Sequence, residues 1–167
     1  MSKKIDEKSD KFITVQNVSE YCNNYFCRIC NKQIAIKHDI TLHIYTEHKE
    51  YIEEFKSSDF YIKYNTVKFA KNFNKLNCPE GALFSTIRSH NDEKERYYKN
   101  AIGEIFQVEV NGDFKFHARL LDVIISTERN NKIFNDFLLY DTDNDSAWID
   151  KIRQLKHSLI LIFIKGV

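Results

Sequence analysis

The stretch "CRICNKQIAIKHDITLHIYTEH", residues 27–48, decides how the first third of this chain folds. It contains two cysteines separated by two residues, Cys27 and Cys30, and two histidines separated by four, His43 and His48. Thiolates and imidazoles are the ligands of tetrahedral zinc, and a two-residue gap lets one tight turn aim both thiolates at one point. Because protein would fill all four positions, the sequence predicts one structural Zn²⁺ ion and no open position for a substrate.

Apolar residues stand around this spacing in a regular way. Tyr25 lies two residues before the first cysteine, Ile34 four after the second, and Ile40 three before the first histidine. With this core, residues 25–48 resemble a C2H2 zinc finger, and the resemblance implies a ββα fold. So small a module buries little surface, so we expect metal binding to supply its folding free energy.

The sequence continues past the second histidine without a helix breaker. Tyr51, Ile52 and Phe55 recur at helical spacing, so we expect the finger helix to extend to about Lys56. The predicted organisation is therefore an N-terminal tail at residues 1–24, followed by a zinc finger with an extended helix at residues 25–56.

The predicted finger is poorly suited to reading DNA sequence. If His43 is the seventh helical residue, the three base-reading positions hold Ile36, Asp39 and Leu42. Two aliphatic side chains and an acid cannot make the paired hydrogen bonds that identify guanine or adenine. Recognition of double-stranded RNA by shape, or of a protein surface, fits better, and we favour protein. Ile36 and Leu42 would then form the docking face, or else be buried against the following domain.

The charge balance also argues against a broad nucleic-acid surface. Among 167 residues, 25 are basic and 24 acidic, which leaves a formal charge of +1. Proteins that hold phosphates mainly by electrostatics carry a clustered basic surface. The longest apolar run, "SLILIFI", is too short to span a membrane, and the N-terminus has no signal-peptide pattern. We therefore expect an intracellular protein without membrane contact, in the nucleus or a cytoplasmic granule.

Residues 57–102 form a mixed strand and helix connecting segment in this interpretation. "FYIKYNTVKFAKNF", residues 60–73, predicts two short strands that turn near Asn65, with a helix as the competing interpretation. Lys63, Lys68 and Lys71 alternate with aromatic residues, which is typical of nucleic-acid contacts but also of a solvated strand face. Residues 89–102 are charged and helix-prone, and we expect a helix that ends before Gly103.

From Gly103 the pattern changes to strands with tight turns. "EIFQVEV" alternates, "NGD" supplies a hairpin turn, and "FKFHARLLDVII" resumes as a strand. "IFNDFLLYD", "SAWID" and "HSLILIFIKGV" predict three more strands, with "KIRQL" as one helical turn between the last two. The fold class predicted for the whole chain is α+β, with a ββα finger joined to a small five-stranded barrel at residues 103–167.

This barrel segment resembles a Tudor domain over residues 103–155. The resemblance rests on "GEIFQVEV", on the aromatic–Arg–Ala strand "FKFHARLLDVI", on "FLLYDTDN" where the family has an Asp–Tyr–Gly–Asn turn, and on "SAWIDKIRQL". The strand "LKHSLILIFIKGV" further resembles one found in extended Tudor domains. Another barrel of the SH3 or OB type remains the alternative.

Extended Tudor domains hold methylated arginine in an aromatic cage through cation–π attraction. Carried over position by position, the resemblance places this cage, or ligand groove, at Val110, Phe116, Leu139, Thr142 and Asn144. Only Phe116 and Asn144 match the family pattern, and an aliphatic wall offers no negative face to a cation. We therefore expect a degenerate cage in a barrel that serves as an interaction module.

Nothing in the sequence predicts catalysis. The acids of "YDTDND", residues 140–145, match no calcium-loop pattern, and no glycine-rich phosphate loop occurs. The predicted function is a non-enzymatic adaptor that binds a protein partner. The resemblances imply small-RNA silencing or ribonucleoprotein granules, with a Piwi-type partner. One alternative is an RNA- or DNA-binding regulatory factor that uses the finger and the lysine-rich middle; another is a reader of histone tails in chromatin.

Overall fold

The computed structural model describes residues 7–126, 132–155 and 157–166. The chain divides into two compact units, which we call the N-terminal unit (residues 1–63) and the C-terminal unit (residues 64–167). The fold is mixed α+β, as predicted, with a three-stranded sheet in the first unit and a curled five-stranded sheet in the second. In the described part of the chain, no helix has both the length and the apolar character needed to cross a membrane.

The N-terminal unit begins with an antiparallel sheet in the order β1-β2-β3. Its elements are β1 (Ile13–Ser19), β2 (Cys22–Cys27), β3 (Gln33–Ile34), α1 (Asp39–Glu47), a 3-10 turn (Lys49–Tyr51) and α2 (Ile52–Phe55). The predicted tail at residues 1–24 thus contains a complete strand, β1, which pairs with β2. This strand widens the predicted hairpin into a three-stranded sheet.

The apolar core of the N-terminal unit contains the three residues predicted from spacing. Tyr25, Ile34 and Ile40 are all buried, which confirms that part of the prediction. Further buried residues from β1, α1 and the segment after it join the same cluster: Phe12, Ile13, Ile44, Phe55 and Phe60. Because these residues extend the buried cluster beyond the hairpin and α1, the sheet and helix have an apolar core besides any bound metal.

The predicted continuous helix to Lys56 is wrong, because the chain leaves helical geometry at His48. This residue caps α1 with φ −137° and ψ 53°, and a 3-10 turn separates α1 from α2. In a continuous helix, residues five apart point about 140° away from each other. The break at His48 therefore lets its imidazole approach His43, with ring centroids 5.0 Å apart.

The C-terminal unit is built on one sheet with the strand order β4-β6-β7-β8-β5. Its elements are β4 (Asn65–Phe69), a 3-10 turn (Asn74–Asn77), β5 (Leu83–Ser89), α3 (Asp92–Asn100), β6 (Ile105–Val110), β7 (Asp113–Ser126), α4 (Lys132–Asp141), α5 (Ser146–Arg153) and β8 (Ser158–Lys165). Strands β4 and β6 are parallel, and the other neighbours are antiparallel. The segment predicted as a connection, residues 57–102, thus supplies both edge strands.

Several local predictions for this unit are confirmed. Strands β6 and β7 form a hairpin through Asn111 and Gly112, whose φ values of 52° and 86° are those that a tight two-residue turn requires. Helix α3 begins after Asn91, whose side chain accepts a hydrogen bond from the Lys94 amide at 2.7 Å. In contrast, residues 60–73 contain one strand, β4, where two were predicted. The polar segment "STERNNK", residues 126–132, is predicted as a turn by its composition, and it lies mostly outside the described residues.

The predicted strands "IFNDFLLYD" and "SAWID" are wrong, because both segments are helical, as α4 and α5. In α4 the buried residues Phe134 and Leu138 are four apart, which is a helical period. Helix α5 is capped by Asp145, whose carboxylate accepts a hydrogen bond from the Ala147 amide at 3.0 Å. The sheet leaves no place for these strands between β7 and β8, since those two pair directly.

The curl of the sheet brings its two edge strands together. On β5, Arg88 donates a hydrogen bond of 2.7 Å to the carbonyl of Lys68 on β4, and its guanidinium lies 4.9 Å from the Phe69 ring centroid. Inside the curl, Phe84 and Phe163 stack with centroids 5.3 Å apart. The structure is therefore a half-barrel whose open side is spanned by side chains rather than by a strand ladder.

Prediction one concerns His117, a buried residue of β7. Burial lowers the pKa of this imidazole to about 4, below its ordinary 6.5. Between pH 6.5 and 4 the unfolded chain therefore binds a proton that the folded chain excludes, so stability falls as the pH falls through this window. The contribution of His117 is about 3 kcal/mol, from a pKa change of 6.5 to about 4. Urea unfolding followed by fluorescence of Trp148, the single tryptophan, measures it.

The matched control is His157, an exposed histidine of the same unit. We expect His117→Gln to flatten the loss of stability between pH 6.5 and 4, and His157→Gln to leave it as in the wild type. Equal slopes in both variants would contradict the account.

Candidate metal centre

The two cysteines are presented by the turn between β2 and β3. Cys27 ends β2, and its carbonyl accepts a hydrogen bond of 2.7 Å from the Asn31 amide, while its amide donates to the Lys32 carbonyl at 3.0 Å. Asn31 has a φ of 60°, a left-handed conformation that asparagine adopts more readily than most residues. This tight turn directs the Cys27 and Cys30 thiols to the same side of the hairpin.

The two histidines come from α1 and its C-terminal cap. His43 and His48 are 8% and 7% exposed and Cys27 is fully buried, whereas Cys30 lies at the surface. Ligand atoms of these four residues all lie within 4.8 Å of one another. The structure thus brings together the complete set of predicted ligands, from a hairpin on one side and a helix on the other.

The distances suit a tetrahedral ion. The Cys30 Sγ atom lies 3.4 Å from His43 Nε2. In a tetrahedron with metal–sulfur and metal–nitrogen bonds of about 2.3 and 2.0 Å, the sulfur–nitrogen edge is about 3.5 Å. The two values agree within the movement that a side chain makes on binding an ion.

Electrostatics and hydrogen bonding also fit a bound cation. Burial raises the pKa of the Cys27 thiol and lowers the pKa of the His43 imidazole, so this environment disfavours a net charge on either group. The Nε2 atom of His48 is buried and, within the described residues, has no hydrogen-bond partner. A metal ion would ligate this nitrogen and stabilise the Cys27 thiolate. The residues present therefore form a group that could hold one metal ion.

The residues expected to read bases do not share one exposed face of α1. Helix α1 begins at Asp39, two residues later than the count from His43 assumed. Ile36 therefore lies in the loop before the helix and is 59% exposed, while Leu42 is half-buried beside a shallow cavity that Asp39 and Lys32 also line. Of the proposed docking face, only Ile36 offers a largely exposed aliphatic surface.

The five residues expected at the degenerate cage do not form an aromatic cage. Phe116 is buried, and the Lys165 ammonium lies 4.5 Å from its ring centroid. Leu139 is exposed on α4, whereas Thr142 is buried and donates a hydrogen bond of 2.6 Å to the Leu138 carbonyl. Val110 is half-buried at the end of β6, and Asn144 is exposed after α4. The physical reason is that the segment carrying Leu139, Thr142 and Asn144 is a helix and turn, not a strand beside β7.

The lysines of the middle segment differ from one another. Lys63 and Lys68 are exposed. Lys71 is half-buried, lies 3.6 Å from an Asp145 oxygen and 5.3 Å from the Phe73 ring centroid. Lys68 lines a cavity of the C-terminal unit, and so does Lys75, a buried lysine of the same segment.

The structure also places together a group that the sequence interpretation missed, His90, Asp92 and Glu95. His90 Nε2 lies 2.6 Å from one Glu95 oxygen, and Lys99 Nζ lies 2.6 Å from the other. These contacts already pair both oxygens of Glu95 within a surface network of ion pairs. The group is therefore a poorer candidate for a metal site than the cysteine–histidine group. The sequence signal for this group is the spacing His-x-Asp-x-x-Glu at the start of a helix, which brings the three side chains close together.

No family model, curated protein or solved structure matches the chain. The functional conclusion therefore depends on the geometry of its own side chains.

Prediction two concerns metal content. We expect the purified chain to contain one divalent ion, and Cys27→Ser or His48→Gln to remove it, because each substitution deletes one of four ligands. Elemental analysis measures the ion, and circular dichroism follows the loss of structure in the N-terminal unit. Cys22→Ser and Cys78→Ser are the matched controls, since neither thiol belongs to the group. Equal metal content in all four variants would refute the site.

Prediction three concerns methylated ligands. Because the five residues expected at the cage form no aromatic cage in the described part of the chain, we expect peptides with dimethylarginine or trimethyllysine to bind no more tightly than their unmethylated forms. Isothermal titration with matched peptide pairs measures the difference. A methylation-dependent gain of about tenfold, near 1.4 kcal/mol, would show that a cage forms on binding.

Proposed function

We propose that the chain is a non-enzymatic adaptor whose N-terminal unit is held by one structural zinc ion and presents a protein-binding surface. The observation that carries this proposal is the convergence of Cys27, Cys30, His43 and His48 within 4.8 Å. Four protein ligands complete a tetrahedron, so no coordination position is left for water or substrate, as catalysis at zinc would require.

Zinc is the ion that this ligand set favours. Two thiolates and two imidazoles in a tetrahedral arrangement are typical of zinc, while calcium and magnesium take oxygen ligands. The ligands lie on two different elements, so an ion fixes the hairpin against α1. The resemblance of residues 25–48 to a C2H2 finger supports the same assignment.

Several features favour a protein partner over DNA. Counted from the observed start of α1 at Asp39, the base-reading positions hold His38, Thr41 and Ile44, and Thr41 and Ile44 are buried, so they cannot reach base edges. Ile36, in the loop between β3 and α1, is 59% exposed, and an exposed aliphatic side chain gives a partner protein an apolar contact. The chain's near-zero net charge supplies little general attraction for phosphates. The Tudor resemblance makes a Piwi-type or other ribonucleoprotein component the first partner to test.

Prediction four tests the partner surface. The immobilised full chain is exposed to a nuclease-treated cell extract, and the retained proteins are identified and quantified. We expect Ile36→Asp to reduce retention of the specific partner about tenfold, because a charge replaces the central apolar contact. Val18→Asp is the matched control, since Val18 is also an aliphatic residue of the N-terminal unit and is 58% exposed.

Equal loss in both variants would show that any exposed charge disturbs binding and would remove Ile36 from the surface. Retention that is seen in an untreated extract but lost after nuclease treatment, and that falls with Lys63→Gln or Lys71→Gln, would favour the nucleic-acid alternative over the adaptor. Folding of each variant is checked by its metal content.

A further inference from the structure

A cavity of about 510 Å³ opens in the C-terminal unit where the two edge strands approach each other. Strand β4 contributes Lys68 and Phe69 to its lining, and β5 contributes Arg88. Trp148 and Lys151 of α5 line the same cavity. This volume lies within the range of small-molecule sites, and neither the metal centre nor the partner surface uses it.

The cavity carries an excess of positive charge. Lys75 and Asp141 are both buried and form an ion pair, with 3.3 Å between Nζ and Oδ1, so together they add no net charge. Lys68, Arg88 and Lys151 remain, and no other acidic side chain lines the cavity within the described residues. Arginine and exposed lysine are protonated at neutral pH. The site therefore favours an anionic ligand.

An aromatic surface lies beside these charges. Trp148 is half-buried and meets the edge of Phe73, with ring centroids 5.4 Å apart. The Lys151 ammonium lies 4.8 Å from the centroid of the Trp148 ring system. Lys151 is exposed, so its ammonium can leave the indole when a flat ligand takes its place. Stacking on an indole needs a ligand with an aromatic ring of its own.

Two polar atoms in the cavity lining lack partners. The Nε atom of Arg88 and the Oδ2 atom of Asp141 are buried and have no hydrogen-bond partner in the described residues. Asp141 is 3% exposed, and its other oxygen already accepts a hydrogen bond of 2.6 Å from Ser85. An unpaired buried donor, here Arg88 Nε, and an unpaired buried acceptor, here Asp141 Oδ2, each cost free energy. A ligand with an acceptor next to a donor would form both missing hydrogen bonds and so recover that free energy. The hydrogen-bonding edge of a nucleobase carries that pair of groups.

We propose that this cavity binds a nucleotide, with the base against Trp148 and its edge toward Arg88 and Asp141. The phosphate lies between Lys68 and Lys151, whose exposed ammonium groups can move to pair with it. The same chemistry is offered by a free mononucleotide and by one nucleotide of a single strand. This site does not depend on the adaptor function, because every residue that forms it belongs to the C-terminal unit.

Prediction five uses Trp148 as the probe, because it is the single tryptophan of the chain. The full chain is titrated with AMP, CMP, GMP and UMP, with the corresponding nucleosides, and with inorganic phosphate. We expect saturable quenching by at least one nucleotide, with weaker binding of its nucleoside and of phosphate alone. Lys68→Gln and Lys151→Gln should each weaken nucleotide binding about fivefold and nucleoside binding hardly at all.

The matched control is Lys99→Gln, which removes an exposed lysine of α3 that does not line the cavity. It should leave the affinity unchanged. A single-stranded pentanucleotide that binds at least tenfold more tightly than its mononucleotide, with an affinity that falls steeply with salt, identifies a strand as the ligand. Equal affinities identify a free nucleotide.

Two results would overturn the proposal. The first is the absence of saturable quenching by every mononucleotide and oligonucleotide, with calorimetry also showing no heat of binding. The second is equal binding of inorganic phosphate and nucleotides, which would leave an anion site without base recognition. Because Lys68 and Lys151 are exposed, their substitution by glutamine tests binding without disturbing the buried core.

Discussion

The convergence of two thiols and two imidazoles is the constraint on which the N-terminal unit depends. Cys27 and the two histidines are buried polar groups, and buried polar groups are costly unless something pairs with them. His48 shows this most directly, because its Nε2 atom has no partner in the described residues. One divalent ion would pair with all four ligands at once. Its binding would also account for the break in the helix at His48, since a continuous helix would turn the two imidazoles apart.

The C-terminal unit depends on a different constraint. Its sheet curls so that the edge strands β4 and β5 approach each other, but they form no backbone ladder. Arg88 spans the gap by its hydrogen bond to the Lys68 carbonyl, and its guanidinium covers Phe69. The buried pair of Lys75 and Asp141 lies in the same region. Burial lowers the pKa of Lys75 to about 8 and raises the pKa of Asp141, so desolvation opposes the charged form of both groups. A buried ion pair is weak evidence for stability, and groups with shifted pKa values cluster at functional sites.

The sequence predicts the convergence of Cys27, Cys30, His43 and His48 well, because their spacing is a short-range geometric signal. It also predicts the β6–β7 hairpin, since alternation and an Asn-Gly turn are local signals. It fails for α4, because a short apolar run such as "IFNDFLLYD" is compatible with strand and helix alike, and only tertiary packing decides. The Asp145 cap of α5 was a readable local signal that the strand interpretation overlooked. The cavity was not predictable, because Lys75, Arg88 and Asp141 are distant in the chain and meet only through the curl.

The central claim is that a metal ion organises the N-terminal unit. Hydrogen exchange of the full chain, measured with and without a strong chelator, tests it most directly because it reports on each unit separately. The account predicts that amides of β2, β3 and α1 lose protection when the ion is removed, while those of β6, β7 and β8 keep theirs. Protection of β2, β3 and α1 that is the same with and without chelator, in a sample shown to be metal-free, would contradict it.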